Sequence, residues 1–198
     1  PYLVDSVKTE LYRRGLDVHL VVHPVIDVAR DVTGALEGVN EGDISESWMH
    51  IEIDRLAPDA AKEIVSGLEG VLEDVREVVE DEPRLHRRLA EIAAGLRYTP
   101  PNSVPREEAS EAAELLAWLA EDHFLLTGYR EYRLDGEYLR GRSGTGLGIL
   151  RADPPQAPDH GKMPPKVAAH ARDKVMLVLA KANSRSTVGE PAYLDHVG

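Results

Sequence analysis

The sequence predicts an α+β fold with antiparallel sheet, and three observations predict it. A helical stretch over residues 5–15 gives way to period-two alternation in DVHLVVH (17–23), and the alternation returns in WMHIEIDRL (48–56). An apolar stripe at spacings of four and three then opens after Pro58-Asp59. Helix, strand, strand, long helix, with one apolar and one polar face on each strand, is the pattern of a sheet covered by helices on one side.

The elements are justified in order. Asp5 or Ser6 is placed to cap the first helix, Val7 and Leu11 with Val4 form its stripe, and Gly15 stands where it should stop. On the first strand Val18, Leu20 and Val22 face one way and His19, Val21 and His23 the other. On the second, Met49, Ile51 and Ile53 oppose His50, Glu52 and Asp54. Residues 27–46, rich in Gly, Asp, Glu and Asn, read as a long mobile excursion. The long helix runs to about Asp81 on Ile64, Leu68, Val71, Val75 and Val78, with Gly67 and Gly70 weakening it locally. Pro83 is expected to end or kink it, and Leu85, Leu89, Ile92 and Leu96 mark another helix.

YTPPNSVP cannot continue a helix and is the expected boundary. It divides a first α+β module (1–97, with trailing helices) from a second (106–198, truncated at its C-terminus) by a Pro-rich linker at 98–105. The second module opens with a helix from Arg106 to about Asp122, apolar through Ala112, Leu115, Leu116 and Leu119. Asp135-Gly136 between strand-like runs signals a two-residue hairpin. The Pro-rich stretch 152–165 is expected to be a loop, and KVMLVLA (174–180) a buried central strand.

Composition narrows the function classes. The length, 198 residues, suits one large domain or two small ones of roughly 100 residues. An apolar content of 42% is enough for a packed core, and a net charge of −12 argues against nucleic acid or an anionic membrane as partner. The absence of Cys removes disulfides, thiolate metal sites and Cys nucleophiles, and fits a reducing cytoplasm. No apolar run approaches the ~20 residues of a membrane span, and no signal peptide is visible. The chain opens on Pro1 and closes on a strand-like YLDHVG, so a piece of a longer polypeptide is expected.

Every candidate constellation is incomplete or badly spaced. GRSGTGLG (141–148) is neither GxGxxG nor GxxxxGK[ST], and a strand-like run follows it, so a turn between strands is expected over a nucleotide loop. His19, His23 and His50 with Glu52 and Asp54 share one polar sheet face, yet His19 and His23 stand ~13 Å apart on a regular strand. A solvated or subunit-facing surface is therefore expected over a metal site. Lys181, Asn183, Ser184, Arg185, Ser186 and Thr187 follow the last apolar run, where α/β ligand sites often lie, and Arg185 can hold a carboxylate bidentately. A polar turn satisfying its own backbone is the alternative. His123 reads as a packing or capping residue.

PYLVDSVKTELYRRGLDVHLVVHPV, WMHIEIDRL, LLAWLAEDHFLLTGYREY, GTGLGIL and KANSRSTVGEPAYLDHVG, in that order, resemble the N-terminal region of the large bacterial NAD-specific glutamate dehydrogenases. The chain departs from that pattern at Val188-Gly189-Glu190-Pro191, where the family has a His-Arg pair before the Pro. The resemblance implies an ACT-like (ferredoxin-like) βαββα module, a helical linker and a second α+β module, with the first strand upstream of Pro1. It implies a non-catalytic regulatory and assembly region, with NAD bound and glutamate oxidised elsewhere in the parent. No catalytic, cofactor or metal residue is expected here. Asp5 and Ser6, near the first loop, and Asn183 and Arg185 are the candidate contacts for an amino-acid effector. A homo-oligomer through ACT-like sheets is expected, and a purely structural oligomerisation module is the alternative.

Overall fold

The computed structural model describes residues 2–135, 138–152 and 176–198. The first helix, α1 (Leu3–Arg13), starts two residues earlier than expected, so Asp5 and Ser6 lie inside its first turns and Tyr2 takes the cap position. Gly15 does stop it. With φ at 74° its amide reaches the Tyr12 carbonyl (2.9 Å) while Leu16 N reaches the Leu11 carbonyl (3.1 Å). This is a Schellman closure, and Leu16 packs on the Leu11 cluster as that motif requires.

Strands β1 (Val18–Val22) and β5 (His50–Ile53) pair antiparallel, and α2 (Pro58–Tyr98) follows. β1 and β5 are the two strands read from the sequence, between the two expected helices, with three further strands between them. A bulge between Val18 and Leu20 alters the faces. Val18 opposes Ile53, but Leu20 opposes Glu52 and Val21 opposes Ile51. Val18 and Val21 are therefore half-buried, while Leu20 and Val22 are exposed, against the strict alternation expected. One extra residue reverses every side chain beyond it.

The stretch expected to be a mobile excursion is a second small sheet. Its strands are β2 (Val25–Arg30), β3 (Leu36–Val39) and β4 (Ile44–Ser47), with β2 in the centre. Asp31 organises the β2–β3 turn. Its Oδ1 accepts the amides of Thr33 (2.8 Å) and Ala35 (2.9 Å) and the Thr33 hydroxyl (2.7 Å). The acidic and glycine residues taken as signs of mobility are turn and cross-strand residues. Arg30 donates to both carboxylate oxygens of Glu46 across β2 and β4.

The long helix does not end at Asp81 or break at Pro83. α2 runs for 41 residues with Pro83 inside it. An interior Pro forfeits one helical hydrogen bond at a cost of about 3 kcal/mol. Packing on both sides offsets this. Val71, Val75 and Val78 form one core with Val188, while Leu85 and Ala93 remain buried beyond the Pro. A second core joins Val7, Leu11 and Ile64 to Met49, Ile51 and Ile53.

α3 (Arg106–Trp118) packs along α2 and ends in one π turn, Leu119–His123. The short ladders that follow are β6 (Gly128–Tyr129) with β9 (Leu147–Gly148), and β7 (Tyr132–Asp135) with β8 (Tyr138–Gly141). The pairing of Asp135 with Tyr138 is that of the expected hairpin, whose Gly136 lies outside the described residues. The 152–165 loop, beyond Ala152, lies outside them too, as do Lys174 and Val175. Among the described residues the expected buried central strand is not found. β10 (Leu179–Arg185) begins at an exposed Leu179 and pairs, among the described residues, with β11 (Tyr193–Val197) alone. Met176, Leu177 and Val178 ahead of β10 are half-buried, while Leu179 and Ala180 are exposed.

Candidate functional site

The structure brings the two sequence-predicted clusters together through one glycine. Ser6 is fully buried, and its hydroxyl donates to the Tyr2 carbonyl (2.7 Å) and accepts the Gly189 amide (2.8 Å). Thr9, one turn on, donates to the Gly189 carbonyl (3.2 Å). Gly189 has φ of 78°, a conformation that glycine adopts without strain, and so turns the chain into this clamp. Ser186 completes the turn, with its hydroxyl on the Val188 carbonyl (2.7 Å) and its amide on Ala192 O (2.8 Å). Asp5 is exposed beside this seam.

Asn183 and Arg185 lie within β10 and not after it, as the sequence suggested, and both are exposed. The Arg185 guanidinium stands over the Tyr193 ring, 5.2 Å from its centroid. The histidine face resolves into two pairs. His19 Nε2 meets Asp54 Oδ1 at 2.8 Å, and His50 Nε2 lies 3.6 Å from Glu52 Oε1. Among the described residues no three His, Asp or Glu side chains gather as a metal site. His123 packs on Trp118, centroids 4.5 Å apart.

Sequence reasoning missed Asp81. This carboxylate is 2% exposed on α2 and accepts the Gly148 amide (2.9 Å), Arg151 Nε (3.0 Å) and Arg84 Nη1 (2.7 Å). Burial alone would raise its pKa, but the Gly148 amide and the two guanidinium groups outweigh that and lower it. Its signal was available in the sequence as one acidic residue in register with the Val71, Val75, Val78 stripe.

Asp81 pins the glycine-rich loop to the side of α2, where Gly144, Thr145 and Leu147 face Arg84, Arg87 and Arg88 across a cleft of about 400 Å³. The loop joins strand β8 to strand β9, and among the described residues no helix starts behind it. It does not fit the pyrophosphate cradle of a dinucleotide, which needs a helix N-terminus. A larger cavity of about 570 Å³ lies between α2, α3 and the C-terminal strands, walled mainly by leucines.

Residues 1–68 match the family model for the ACT1 domain of glutamate dehydrogenase. The whole chain is 35% identical over 211 residues to the NAD-specific glutamate dehydrogenase of Pseudomonas aeruginosa and 30% identical over 210 residues to that of Halomonas elongata. The NAD-specific glutamate dehydrogenase of Mycobacterium tuberculosis is 30% identical over 96% of the chain. The chain spans 13% of the length of the first two relatives and 12% of the third. The matched residues hold α1, β1 to β5 and the opening turns of α2, and include Asp5 and Ser6. Asn183, Arg185 and the arginine cleft lie beyond it. Among the described residues no helix is long and apolar enough to cross a membrane.

Proposed function

We propose that this chain is the N-terminal regulatory and assembly region of a large cytoplasmic NAD-specific glutamate dehydrogenase. The parent would convert L-glutamate, water and NAD+ to 2-oxoglutarate, ammonia and NADH, with NAD held elsewhere in the polypeptide. The observation that carries this reading is the ACT1 match over 1–68 set inside an alignment to such enzymes that runs the length of the chain. Assembly proceeds through the ACT-like sheet. A two-stranded ladder such as β1–β5 is marginal alone, and a βαββα unit completed by a strand ahead of α1 gives it further strands and an edge for a second copy. Leu20 and Val22, exposed by the bulge, form the apolar part of its outer face.

An amino-acid effector binds at the start of α1, where Asp5 offers an exposed carboxylate to an ammonium group, with Asn183 and Arg185 as a second set. In the full-length enzyme, Leu20→Lys with Val22→Lys is expected to lower the sedimentation coefficient by removing the sheet contact. An unchanged oligomer rejects the assembly surface. Activation by amino acids is expected to weaken in Asp5→Ala, and an identical response sinks that ligand role.

One observation favours a second reading, a structural module without a ligand. The Ser6 hydroxyl both donates and accepts within the protein. Loss of the oligomer on deleting residues 1–68, with effector response intact, selects that reading.

A further inference from the structure

The glycine-rich loop and the arginine face of α2 are left unused by the assembly reading, and they meet. Arg84, Arg87 and Arg88 stand at positions i, i+3 and i+4, on one side of the helix. Like charges so spaced repel one another, which makes three of them on one cleft wall of an acidic chain a feature that a bound anion would stabilise. The opposite wall is a built turn. Arg142 N donates to Glu131 O (2.8 Å), and the Thr145 hydroxyl donates to Arg142 O (2.7 Å) and accepts Glu131 N (3.2 Å). The Gly148 amide on Asp81 closes the loop onto the helix.

The carboxylates of the cleft are already engaged. Glu131 is held by Arg88 and by Arg142 Nη1 (2.6 Å), and Glu91 takes Arg88 Nη1 (3.2 Å). Arg88 also donates to the Tyr129 hydroxyl (3.2 Å), so its guanidinium is a fixed part of the wall. Arg84 uses Nη1 on Asp81, and its side chain is 60% exposed. Arg87 is exposed and has no ion-pair partner among the described residues. Two guanidinium groups, one turn apart, are thus presented to a cleft of about 400 Å³, the size range of small-metabolite sites.

We propose that this cleft binds a small dianion, a phosphate or a dicarboxylate, gripped by Arg84 and Arg87 against the Gly144–Thr145 rim. Planar guanidinium forks suit both anion types, and Lys would not replace them equally. The site is independent of the ACT1 domain and of the sheet surface proposed for assembly.

The test is titration calorimetry on this chain with inorganic phosphate in one arm and glutarate in the other, at low and at physiological salt. Saturable binding to either probe is expected, and the arm that responds names the ligand class. Arg87→Ala is expected to weaken it at least tenfold, while Arg97→Ala, exposed on the same helix outside the cleft, leaves it unchanged. Thermal melts of both variants should match the parent chain, because Arg87 is exposed and makes no ion pair among the described residues. No saturable heat with either probe, or equal affinities in Arg87→Ala and the parent chain, overturns the proposal.

Discussion

Asp81 on α2 accepts the backbone amide of Gly148 at 2.9 Å, joining a helix in the first half of the chain to the glycine-rich loop of the second. Gly148 has φ of 58°, and a Cβ there would stand 2.2 Å from the Thr127 carbonyl oxygen. Both partners are therefore specified, one by charge and one by lack of a side chain. Asp81→Ala leaves a buried amide unpaired, and chemical denaturation should show a loss of about 1–3 kcal/mol. Gly148→Ala should also destabilise, through strain and displacement of β9. A variant of either type with unchanged denaturation midpoint contradicts the clamp.

The same carboxylate sets a pH dependence. Its pKa is lowered in the folded chain, so its contribution is complete above the unfolded value of about 3.9 and is lost as pH falls through the folded value. Asp81→Asn should flatten the acid limb of a stability–pH profile. A parallel profile in the variant would show that other carboxylates carry that limb.

Glu46 offers a spectroscopic check on the β2–β4 ladder. The Arg30 guanidinium, with Trp48 Nε1 at 3.0 Å, holds its pKa down to about 2. Carboxyl-detected NMR should place its midpoint near that value, and Arg30→Ala should return it toward the ordinary range of a glutamate. An ordinary midpoint in the unaltered chain would mean that the ladder does not persist in solution.

Two glycines of α2 should respond in opposite ways. Gly70 has open space around it, so Gly70→Ala is expected to stabilise by about 1 kcal/mol through helix propensity. A Cβ on Gly67 would stand 2.6 Å from the buried Glu10 carboxylate, which Arg13 and Arg14 hold in place. Gly67→Ala should lose that gain or reverse it, as read by thermal melts of the two variants side by side.

Ser6→Ala removes the acceptor for the Gly189 amide. The expected loss is about 1–3 kcal/mol, with faster hydrogen exchange at Gly189. Exchange at Gly189 as slow as in the unaltered chain would show that the amide has another partner.

How legible the chain was depended on which residues carried the signal. Val7, Leu11 and Gly15 defined α1 and its stop, because apolar spacing and a left-handed glycine are local properties. Asp135-Gly136 announced its hairpin for the same reason. Leu20 and Val22 misled, since a bulge one residue upstream reversed their direction. Pro83 misled because helix propensity is local while the packing that overrides it, Val78 and Leu85 on either side, is not. Ser6, expected as a cap and named as an effector contact through the resemblance alone, lies inside α1 and is joined to Gly189.

By itself, then, the sequence determined the α+β class, the order of α1, β1, β5 and α2, and its likeness to NAD-specific glutamate dehydrogenases. These rest on periodicity and on residue types at fixed spacings, which are written along the chain. Only the tertiary structure decided that Asp81 clamps Gly148, that Ser6 meets Gly189, and that Arg84 and Arg87 face the glycine-rich loop. Those pairs are far apart in sequence. No local rule links them, because burial and hydrogen-bond satisfaction are settled only when the elements pack.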